Sequence, residues 1–315
     1  TGVFIDTVVQ SGRVRRENAY GIEIDARLGA RRRPFYIGDG LLGAFPDVED
    51  GSFDVVLGNP PFGKLGAFLE IMGEPLMELV RERFALGRQS RGASCPIELL
   101  FLERALQLVR PGGWVAFIMP EGFFANTRLQ QARDWLASQV QVLSVVSLPE
   151  VVFRGKGINA RTGLVLLRRT APRGRVSLFC GESPCRRAQI GTYLRAVRKG
   201  QGVGLVALRL PQRQLLGSRW DPGYWQGSAK VRRLGERFAL RPLGDFIEHL
   251  TYGPIITGRK PEHVEGGVPV IRQGDIVETG LDHASLLKVE ARGDYDPERS
   301  RVRRGDLLLP RSGAG

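Results

Sequence analysis

Cysteine, histidine and methionine are scarce in this sequence of 315 residues, which contains three of each. The cysteines (Cys95, Cys180 and Cys185) are too few and too unevenly spaced for a disulfide framework. The histidines (His249, His263 and His283) do not combine with them into a zinc-ligand spacing. We therefore expect neither a disulfide framework nor a bound metal.

Long apolar runs are absent as well. No segment approaches 18 consecutive apolar residues, and the first residues lack the charged-then-apolar pattern of a secretion signal. Hydrophobic residues make up 42% of the chain and charged residues 25%, as in a soluble globular protein, and the length suffices for two domains. These features predict a cytoplasmic protein with no membrane partner.

Acidic residues are rare in one part of the chain. Residues 151–260 contain 22 basic and 5 acidic side chains, whereas residues 1–150 contain 16 and 18, and residues 261–315 contain 8 and 10. Uncompensated like charges repel each other, so this excess favours a polyanionic partner over a merely solvated surface. Nucleic acid is the partner that the pattern indicates.

Apolar periodicity predicts alternating helices and strands in the first half of the chain. Apolar residues at 4, 5, 8 and 9 have helical spacing, and further helices are predicted at 97–106 and near 126–138. Strands are predicted at 19–25, 35–40, 53–57, 114–119, 142–148 and 162–167. Such alternation with short turns is typical of an α/β fold with a doubly wound, mostly parallel sheet.

The sequence Asn-Pro-Pro-Phe at residues 59–62 follows one of these strands, and the apolar run 53–57 predicts that this strand is buried. Two consecutive prolines fix a rigid turn at the carboxyl end of the strand, where α/β proteins bind ligands. The turn presents the Asn59 amide and the Pro60 carbonyl as acceptors beside the Phe62 ring, which suits a planar exocyclic amine. A plain strand-ending turn is the alternative interpretation.

The motif resembles the catalytic loop of amino-group methyltransferases that use S-adenosylmethionine, above all the N6-adenine DNA methyltransferases of bacterial restriction-modification systems. The sequence at 108–120, Leu-x-Arg-Pro-Gly-Gly-x-Val-x-Phe-Ile-x-Pro, resembles the helix, turn and strand that follow this loop in the family. The resemblance implies a Rossmann-like fold, S-adenosylmethionine as cofactor, and Asn59, Pro60 and Phe62 as catalytic residues.

The same resemblance implies which residues bind the cofactor. Glu23 would accept the ribose hydroxyls with Ile24 packing on the adenine, and Asp39 would receive the adenine amino group. Thr1-Gly2-x-Phe4 matches only the last part of the glycine loop of the family. An ordinary acidic strand end at Glu23 and a plain Gly-Asp-Gly turn at Asp39 stay open. The expected cofactor-binding residues are Thr1, Gly2, Phe4, Glu23, Ile24, Asp39, Gly40 and Asn59.

Downstream residues are expected to hold the target base and the DNA. By the same resemblance Phe153 would pack with Phe62 against a flipped base, although an aromatic residue ahead of a strand is often a core residue. The residues expected to contact DNA are Arg154, Lys156, Arg186, Arg187, Arg195 and Arg198. The sequence at 219–225 resembles the junction before recognition domains, and Gly-Asp-Ile at 274–276 with Gly-Asp-Leu at 305–307 resembles target-recognition domains of type I specificity subunits.

We therefore predict a methyltransferase catalytic domain at 1–170, a basic connecting region at 171–240 and a smaller, partial α+β target-recognition domain at 241–315. Compared with the family, the first strand of the catalytic domain is missing and the recognition domain is cut short. The chain resembles a fragment truncated at both ends, and we expect the fragment itself to be inactive.

The function that the resemblance implies is site-specific methylation of a flipped-out adenine in double-stranded DNA, within a restriction-modification or phage-defence system. Specificity or restriction subunits are expected as further partners. Two alternatives stay open. One is methylation of an RNA base or a protein glutamine, because similar loops serve those amino groups. The other is a DNA-binding module on a degenerate methyltransferase fold.

Overall fold

A computed structural model describes residues 2–29, 35–43, 45–67, 75–89, 94–148, 161–181, 205–254, 256, 260–277 and 280–309. The chain divides into two compact units, Thr1–Phe238 and Ala239–Gly315. The functional division at residues 170 and 240 stays a prediction.

Two short parallel strands come first in the chain. Strand β1 (Gly21–Glu23) pairs with β2 (Phe35–Ile37) as a sheet of its own, with Glu23 opposite Ile37. Aromatic rings near the start of β1 and β2 form a cluster with the ring of Phe53. The ring centroid of Tyr20 lies 5.6 Å from that of Phe53 and 6.3 Å from that of Tyr36, on which it stacks. Edge-on aromatic contacts of this kind add stability beyond their burial.

A six-stranded sheet forms the centre of the first unit. Its strands are β3 (Phe53–Gly58), β4 (Val109–Pro120), β5 (Gln141–Ser147), β6 (Thr162–Arg168), β7 (Arg175–Gly181) and β8 (Leu205–Pro211), in the spatial order β3-β4-β6-β5-β7-β8. β3 is parallel to β4 and β5 to β7, whereas β6 lies antiparallel between β4 and β5, and β8 is antiparallel to β7. β3, β4, β5 and β7 therefore run in one direction. The predicted α/β class is confirmed, and the sheet is mixed, with two parallel and three antiparallel pairings among its described strands.

The α-helices in the described part of the first unit are α1 (Val3–Gln10), α2 (Ala26–Gly29), α3 (Pro75–Arg83), α4 (Ala85–Gln89), α5 (Ile97–Leu108), α6 (Glu121–Ala125), α7 (Gln130–Gln139) and α8 (Pro222–Gly235). α8 begins with a proline in its first turn, and the Asp221 carboxylate caps it by accepting the Tyr224 N–H at 3.0 Å. Over the described parts of the chain, no helix is both long and apolar enough to cross a membrane.

Two groups of buried side chains pack this unit together. The main core joins α5, α7 and the sheet, and it includes the fully buried Trp220 ahead of α8. A second group, which we name the small core, consists of Leu41, Leu65, Val80, Phe84, Cys95 and Leu100. Phe101 packs against both groups, so α5 connects them. Ten of the twelve residues of α5 are buried, because the helix has packed neighbours on several sides.

Strand β3 is not buried, which corrects the prediction from its apolar run. Val55 is 49% exposed and Leu57 is 37% exposed. Among the described strands β3 pairs only with β4, so it forms one edge of the six-stranded sheet. An edge strand has a neighbouring strand along only one of its two sides. Apolar composition alone does not distinguish it from a central strand.

The second unit consists of short strands and single 3₁₀ turns in its described part. β9 (Val268–Val270) pairs antiparallel with β12 (Leu287–Val289), and β10 (Ile276–Val277) pairs antiparallel with β11 (Gly280–Leu281). The 3₁₀ turns are Leu243–Phe246, Gln273–Asp275, His283–Ser285 and Glu298–Ser300. The described helical residues of this unit all lie in 3₁₀ turns, and its assignment as an α+β target-recognition domain stays a prediction.

The two Gly-Asp sequences of the second unit adopt the same turn. The Arg272 N–H donates to the Asp275 carboxylate at 2.7 Å, and the Asp275 N–H donates to the Arg272 carbonyl at 3.0 Å. Arg303 and Asp306 make the equivalent bonds at 2.8 and 3.1 Å. Asp275 is buried, whereas Asp306 is exposed. The sequence Arg-x-Gly-Asp therefore encodes a local turn that does not depend on burial.

Candidate active site

The Asn-Pro-Pro-Phe loop leaves the carboxyl end of β3. The last residue of the strand, Gly58, lies opposite Phe117 of β4. A Cβ atom at Gly58 would lie 2.3 Å from a Phe117 ring carbon, so only glycine permits this close approach. The loop therefore starts from a fixed point against the sheet.

Two of the groups that the loop presents, the Asn59 side chain and the Phe62 ring, are exposed. Pro60 is buried, whereas the Asn59 side chain is exposed and Phe62 is 38% exposed. Within the described ranges, neither the Asn59 amide nor the Pro60 carbonyl has a hydrogen-bond partner. The buried Pro60 anchors the backbone, while the Asn59 side chain and the Phe62 ring are open to solvent.

The far end of the loop is bound to the start of α5. The Gly63 carbonyl accepts the Ile97 N–H at 2.9 Å, and the Leu65 N–H donates to the Cys95 carbonyl at 2.8 Å. The Gly63 N–H donates to Oε2 of Glu98 at 3.2 Å. Gly63 has a φ of +144°, which side-chain-bearing residues rarely adopt. Both ends of the loop are thus attached to elements of the core.

Glu23 and Asp39 lie at the ends of two neighbouring parallel strands. Glu23 is the last residue of β1, and its carbonyl accepts the N–H of Gly38, which follows β2. The Glu23 carboxylate accepts the Asp25 N–H at 3.2 Å, and the Asp39 carboxylate accepts the Leu41 N–H at 2.8 Å. Both side chains are partly buried and therefore keep oxygen atoms available to a ligand. Ile24 is 64% exposed.

The small core joins the Asp39 turn to the loop at 59–62. Leu41, two residues after Asp39, is 3% exposed, and Leu65, three residues after Phe62, is fully buried. Both side chains belong to the same buried group, together with Leu100 of α5. A Cβ atom at Gly40 would lie 3.1 Å from the Ile22 side chain and 3.4 Å from the Phe101 ring. The two loops are therefore fixed against one another through common packing.

The amino-terminal candidates Gly2 and Phe4 are not linked to Glu23, Asp39 and Asn59 in the described structure. Gly2 is the N-cap of α1 with a φ of +69°, Phe4 is 42% exposed, and α1 has no buried residue. No described hydrogen bond or ring contact links Gly2 or Phe4 to Glu23, Asp39 or Asn59. The other predicted site residues lie outside the described residues: Thr1, Phe153, Arg154, Lys156, Arg186, Arg187, Arg195 and Arg198.

Sequence reasoning did not single out Glu98. Its side chain lies within the first turn of an otherwise apolar helix and is 6% exposed. Burial raises the pKa of the Glu98 carboxyl, and the N–H groups of Gly63 and of Glu98 itself counteract part of that effect. The signal available in the sequence was an acidic residue inside the apolar run 97–102.

Comparison with known proteins identifies the segment that contains these residues. Residues 17–153 match the Eco57I restriction-modification methylase family. The resemblance to restriction-modification methyltransferases is thereby confirmed. The methylase match includes Glu23, Asp39 and the loop at 59–62, whereas Gly2 and Phe4 precede it.

Individual relatives are distant. The type II methyltransferase M.HincII of Haemophilus influenzae is 23% identical over 155 residues, which are 49% of this chain and 28% of that protein. The type II methyltransferase M.HindII of the same species is 23% identical over 155 residues and is covered to 27%. A solved type I restriction-modification methyltransferase subunit from Streptococcus thermophilus is 17% identical with a TM-score of 0.42, over 58% of this chain and 39% of that chain. The chain spans less than a third of the length of these curated relatives.

Proposed function

We propose that the protein is a site-specific DNA methyltransferase that transfers a methyl group from S-adenosylmethionine to the N6 amino group of adenine. The observation that carries this proposal is the loop at 59–62, where the exposed Asn59 amide and the unbonded Pro60 carbonyl lie beside the half-exposed Phe62 ring. An adenine amino group carries two hydrogens in the plane of an aromatic base, so it complements both features. The methylase match over residues 17–153 supports the same chemistry.

The loop would act by positioning the amine. Asn59 and the Pro60 carbonyl would each accept one amino hydrogen, which turns the nitrogen lone pair towards the methyl donor. The Phe62 ring would stack on the base. An amino group inside a duplex is paired and stacked, so the target base would have to be flipped out of the helix to reach these groups. Bound S-adenosylmethionine supplies a methyl group activated by a positively charged sulfonium.

The strand ends at Glu23 and Asp39 fit the cofactor. The Glu23 carboxylate has oxygen atoms available for ribose hydroxyls, and Asp39 can accept a hydrogen bond from an adenine amino group. Gly40 keeps the turn after Asp39 free of a side chain that would crowd Ile22. Two carboxylates at the ends of adjacent parallel strands suit the ribose and the adenine of an adenosine-containing ligand.

Duplex DNA is the proposed partner of the basic part of the chain. Within the described residues, α8 and the turn after it carry Lys230, Arg232, Arg233 and Arg237, which are all exposed. No described acidic side chain forms an ion pair with these four residues. We place the protein in the cytoplasm, within a restriction-modification or defence system whose specificity or restriction subunits would be its protein partners.

Product analysis tests the proposed function. The full-length protein would be incubated with labelled S-adenosylmethionine in three separate reactions, which contain duplex DNA, RNA or protein extract. The products of each reaction would be digested and identified by mass spectrometry. We expect label in N6-methyladenine from duplex DNA. Label confined to RNA or to glutamine would assign another amino-group substrate, and cofactor-independent DNA binding without any transfer would indicate a binding module.

A further inference from the structure

Glu98 is a buried carboxylate whose presence packing does not explain. It lies on α5 between apolar residues and is 6% exposed. Among the described residues, no basic side chain forms an ion pair with it, and its partners are backbone N–H groups. Burying a carboxylate without a counter-charge is costly, so an apolar side chain would serve the core better.

The partner of Glu98 lies directly after the proposed catalytic loop. Oε2 of Glu98 accepts the N–H of Gly63, the residue that follows Phe62. Among the described residues, this is the only side-chain hydrogen bond to the backbone of residues 59–65. The other bonds of this stretch, from Gly63 and Leu65 to the start of α5, are between backbone groups.

Because the backbone of the loop is stiff, this one hydrogen bond affects the position of the whole loop. Pro60 and Pro61 have no N–H groups and fixed φ angles, so the loop moves as a stiff unit between Gly58 and Gly63. Gly58 is held in the sheet opposite Phe117. The orientation of the Asn59 amide therefore depends in part on where Gly63 is held. Gly63 is the less closely packed of the two ends, since a Cβ atom there would meet no atom within 4 Å, whereas one at Gly58 would lie 2.3 Å from Phe117.

We propose that Glu98 is a positioning residue that holds the loop at 59–62 in its reactive arrangement by binding the Gly63 N–H. This role rests on the proposed function, because the arrangement matters only if Asn59 and Pro60 contact a substrate amine. Glu98 itself does not touch the reacting atoms. Its removal displaces the loop but leaves the cofactor residues Glu23 and Asp39 on their own strands.

The chain offers a matched control on the same helix. Glu103 is also 6% exposed, and burial raises its pKa as it does that of Glu98. Its carboxylate accepts the N–H groups of Ala85 and Leu86 at 2.7 and 2.9 Å, at the start of α4 and away from the loop. Glu103→Ala therefore removes a comparable buried carboxylate without releasing Gly63.

The test compares Glu98→Ala, Glu98→Gln and Glu103→Ala in the full-length protein. We expect Glu98→Ala to lower kcat by about tenfold to a hundredfold with little change in the KM for DNA, since misplacing a reacting group by about 1 Å has effects of that size. Glu98→Gln retains an acceptor oxygen and should restore most of kcat. Glu103→Ala should lower the melting temperature and leave kcat near the wild-type value.

Amide exchange of Gly63, measured by NMR without substrate, provides the second readout. We expect faster exchange in Glu98→Ala and slow exchange in Glu98→Gln and Glu103→Ala. Unchanged Gly63 exchange in Glu98→Ala, or an equal loss of kcat in Glu98→Ala and Glu103→Ala, would overturn the proposal. If Asn59→Ala is as active as the wild type in the same assay, the proposed function fails, whereas the exchange data still decide whether Glu98 holds Gly63.

Discussion

Glu23 is the residue whose proposed role is most easily separated from the fold. Its carboxylate has one described bond, to the N–H of Asp25, so replacing it removes little internal structure. We predict that Glu23→Ala weakens binding of S-adenosylmethionine by about tenfold to a hundredfold, because hydrogen bonds to charged groups contribute about 1.5–3 kcal/mol. Calorimetric titration with the cofactor measures the change.

The neighbouring carboxylate serves as the control for that experiment. Asp25 forms a surface ion pair with Arg27 at 2.8 Å, in which Arg27 is 89% exposed. Exposed ion pairs contribute little stability, so Asp25→Ala should bind the cofactor as the wild type does. Equal affinities of Glu23→Ala and the wild type would remove Glu23 from the cofactor site.

At the scale of secondary structure, α8 is the element for which we propose a role in DNA binding. Its cations Lys230, Arg232 and Arg233 are exposed, and Asp221 is engaged by Arg219 at 2.7 Å. We predict that replacing all three cations by glutamine reduces the salt dependence of DNA binding, by about 0.9 in the log–log slope for each phosphate that the variant no longer neutralises. Binding measured over a series of salt concentrations gives the slope.

A second cluster of exposed cations provides the control for α8. Arg13, Arg15 and Arg16 are exposed in a part of the chain without a basic excess. Their replacement by glutamine should leave the slope unchanged. If both triple variants lower the slope equally, the effect reflects net charge and not a contact surface on α8.

The same elements show what the sequence could and could not predict. The α5 helix and strands β3 to β6 were predictable because their apolar residues form short, dense runs bounded by turn residues. Strand β8 and helix α8 were not predicted. The interior of α8 contains glycines at 223 and 227, which lower helix propensity, and the start signal at Asp221 and Pro222 was interpreted as a junction.

The turn at 59–62 was predictable from the sequence, whereas its attachment to α5 was not. A rigid loop that contains Asn59, Pro60 and Phe62 is predicted from the sequence itself, since proline restricts the backbone wherever it occurs. The bond between Gly63 and Glu98 joins residues 35 positions apart. No local pattern reports a contact of that range, and the exposure of β3 likewise depends on which strands lie beside it.

At the scale of the whole molecule, the buried carboxylate of Asp275 allows the stability of the second unit to be measured separately from that of the first. Asp275 accepts hydrogen bonds from the Arg272 side chain at 2.8 and 3.1 Å and from the Ser285 hydroxyl at 2.9 Å. The Arg272 side chain is the main cause that lowers the pKa of Asp275 from 3.8 to about 2. These contacts tie the Gly-Asp turn before β10 to the turn before β12.

We predict that Asp275→Asn destabilises the unit at 239–315 by about 2 kcal/mol at neutral pH, since it weakens hydrogen bonds to a charged group. A carboxyl whose pKa is lowered in the folded state stabilises the fold above its unfolded pKa of 3.8, and that contribution is lost as the pH falls through about 2. The difference between variant and wild type should therefore shrink over this interval. Amide exchange of peptides from 268–289 measures it.

The second Gly-Asp turn supplies the matched variant. Asp306 makes the same backbone bond, to the Arg303 N–H at 2.8 Å, but it is exposed. Asp306→Asn should leave exchange of the 268–289 peptides unchanged. Asp296, whose pKa is also lowered to about 2, titrates equally in both variants and therefore cancels from the comparison.

The central claim is that the Asn59 amide binds the substrate amine during methyl transfer. The most direct measurement is single-turnover methylation of duplex DNA by the full-length Asn59→Ala protein, with DNA affinity measured in parallel. We predict a rate reduced by about 10²–10³-fold, as for the loss of one preorganised hydrogen bond in a transition state, with DNA affinity little changed. Transfer at the wild-type rate would contradict the claim.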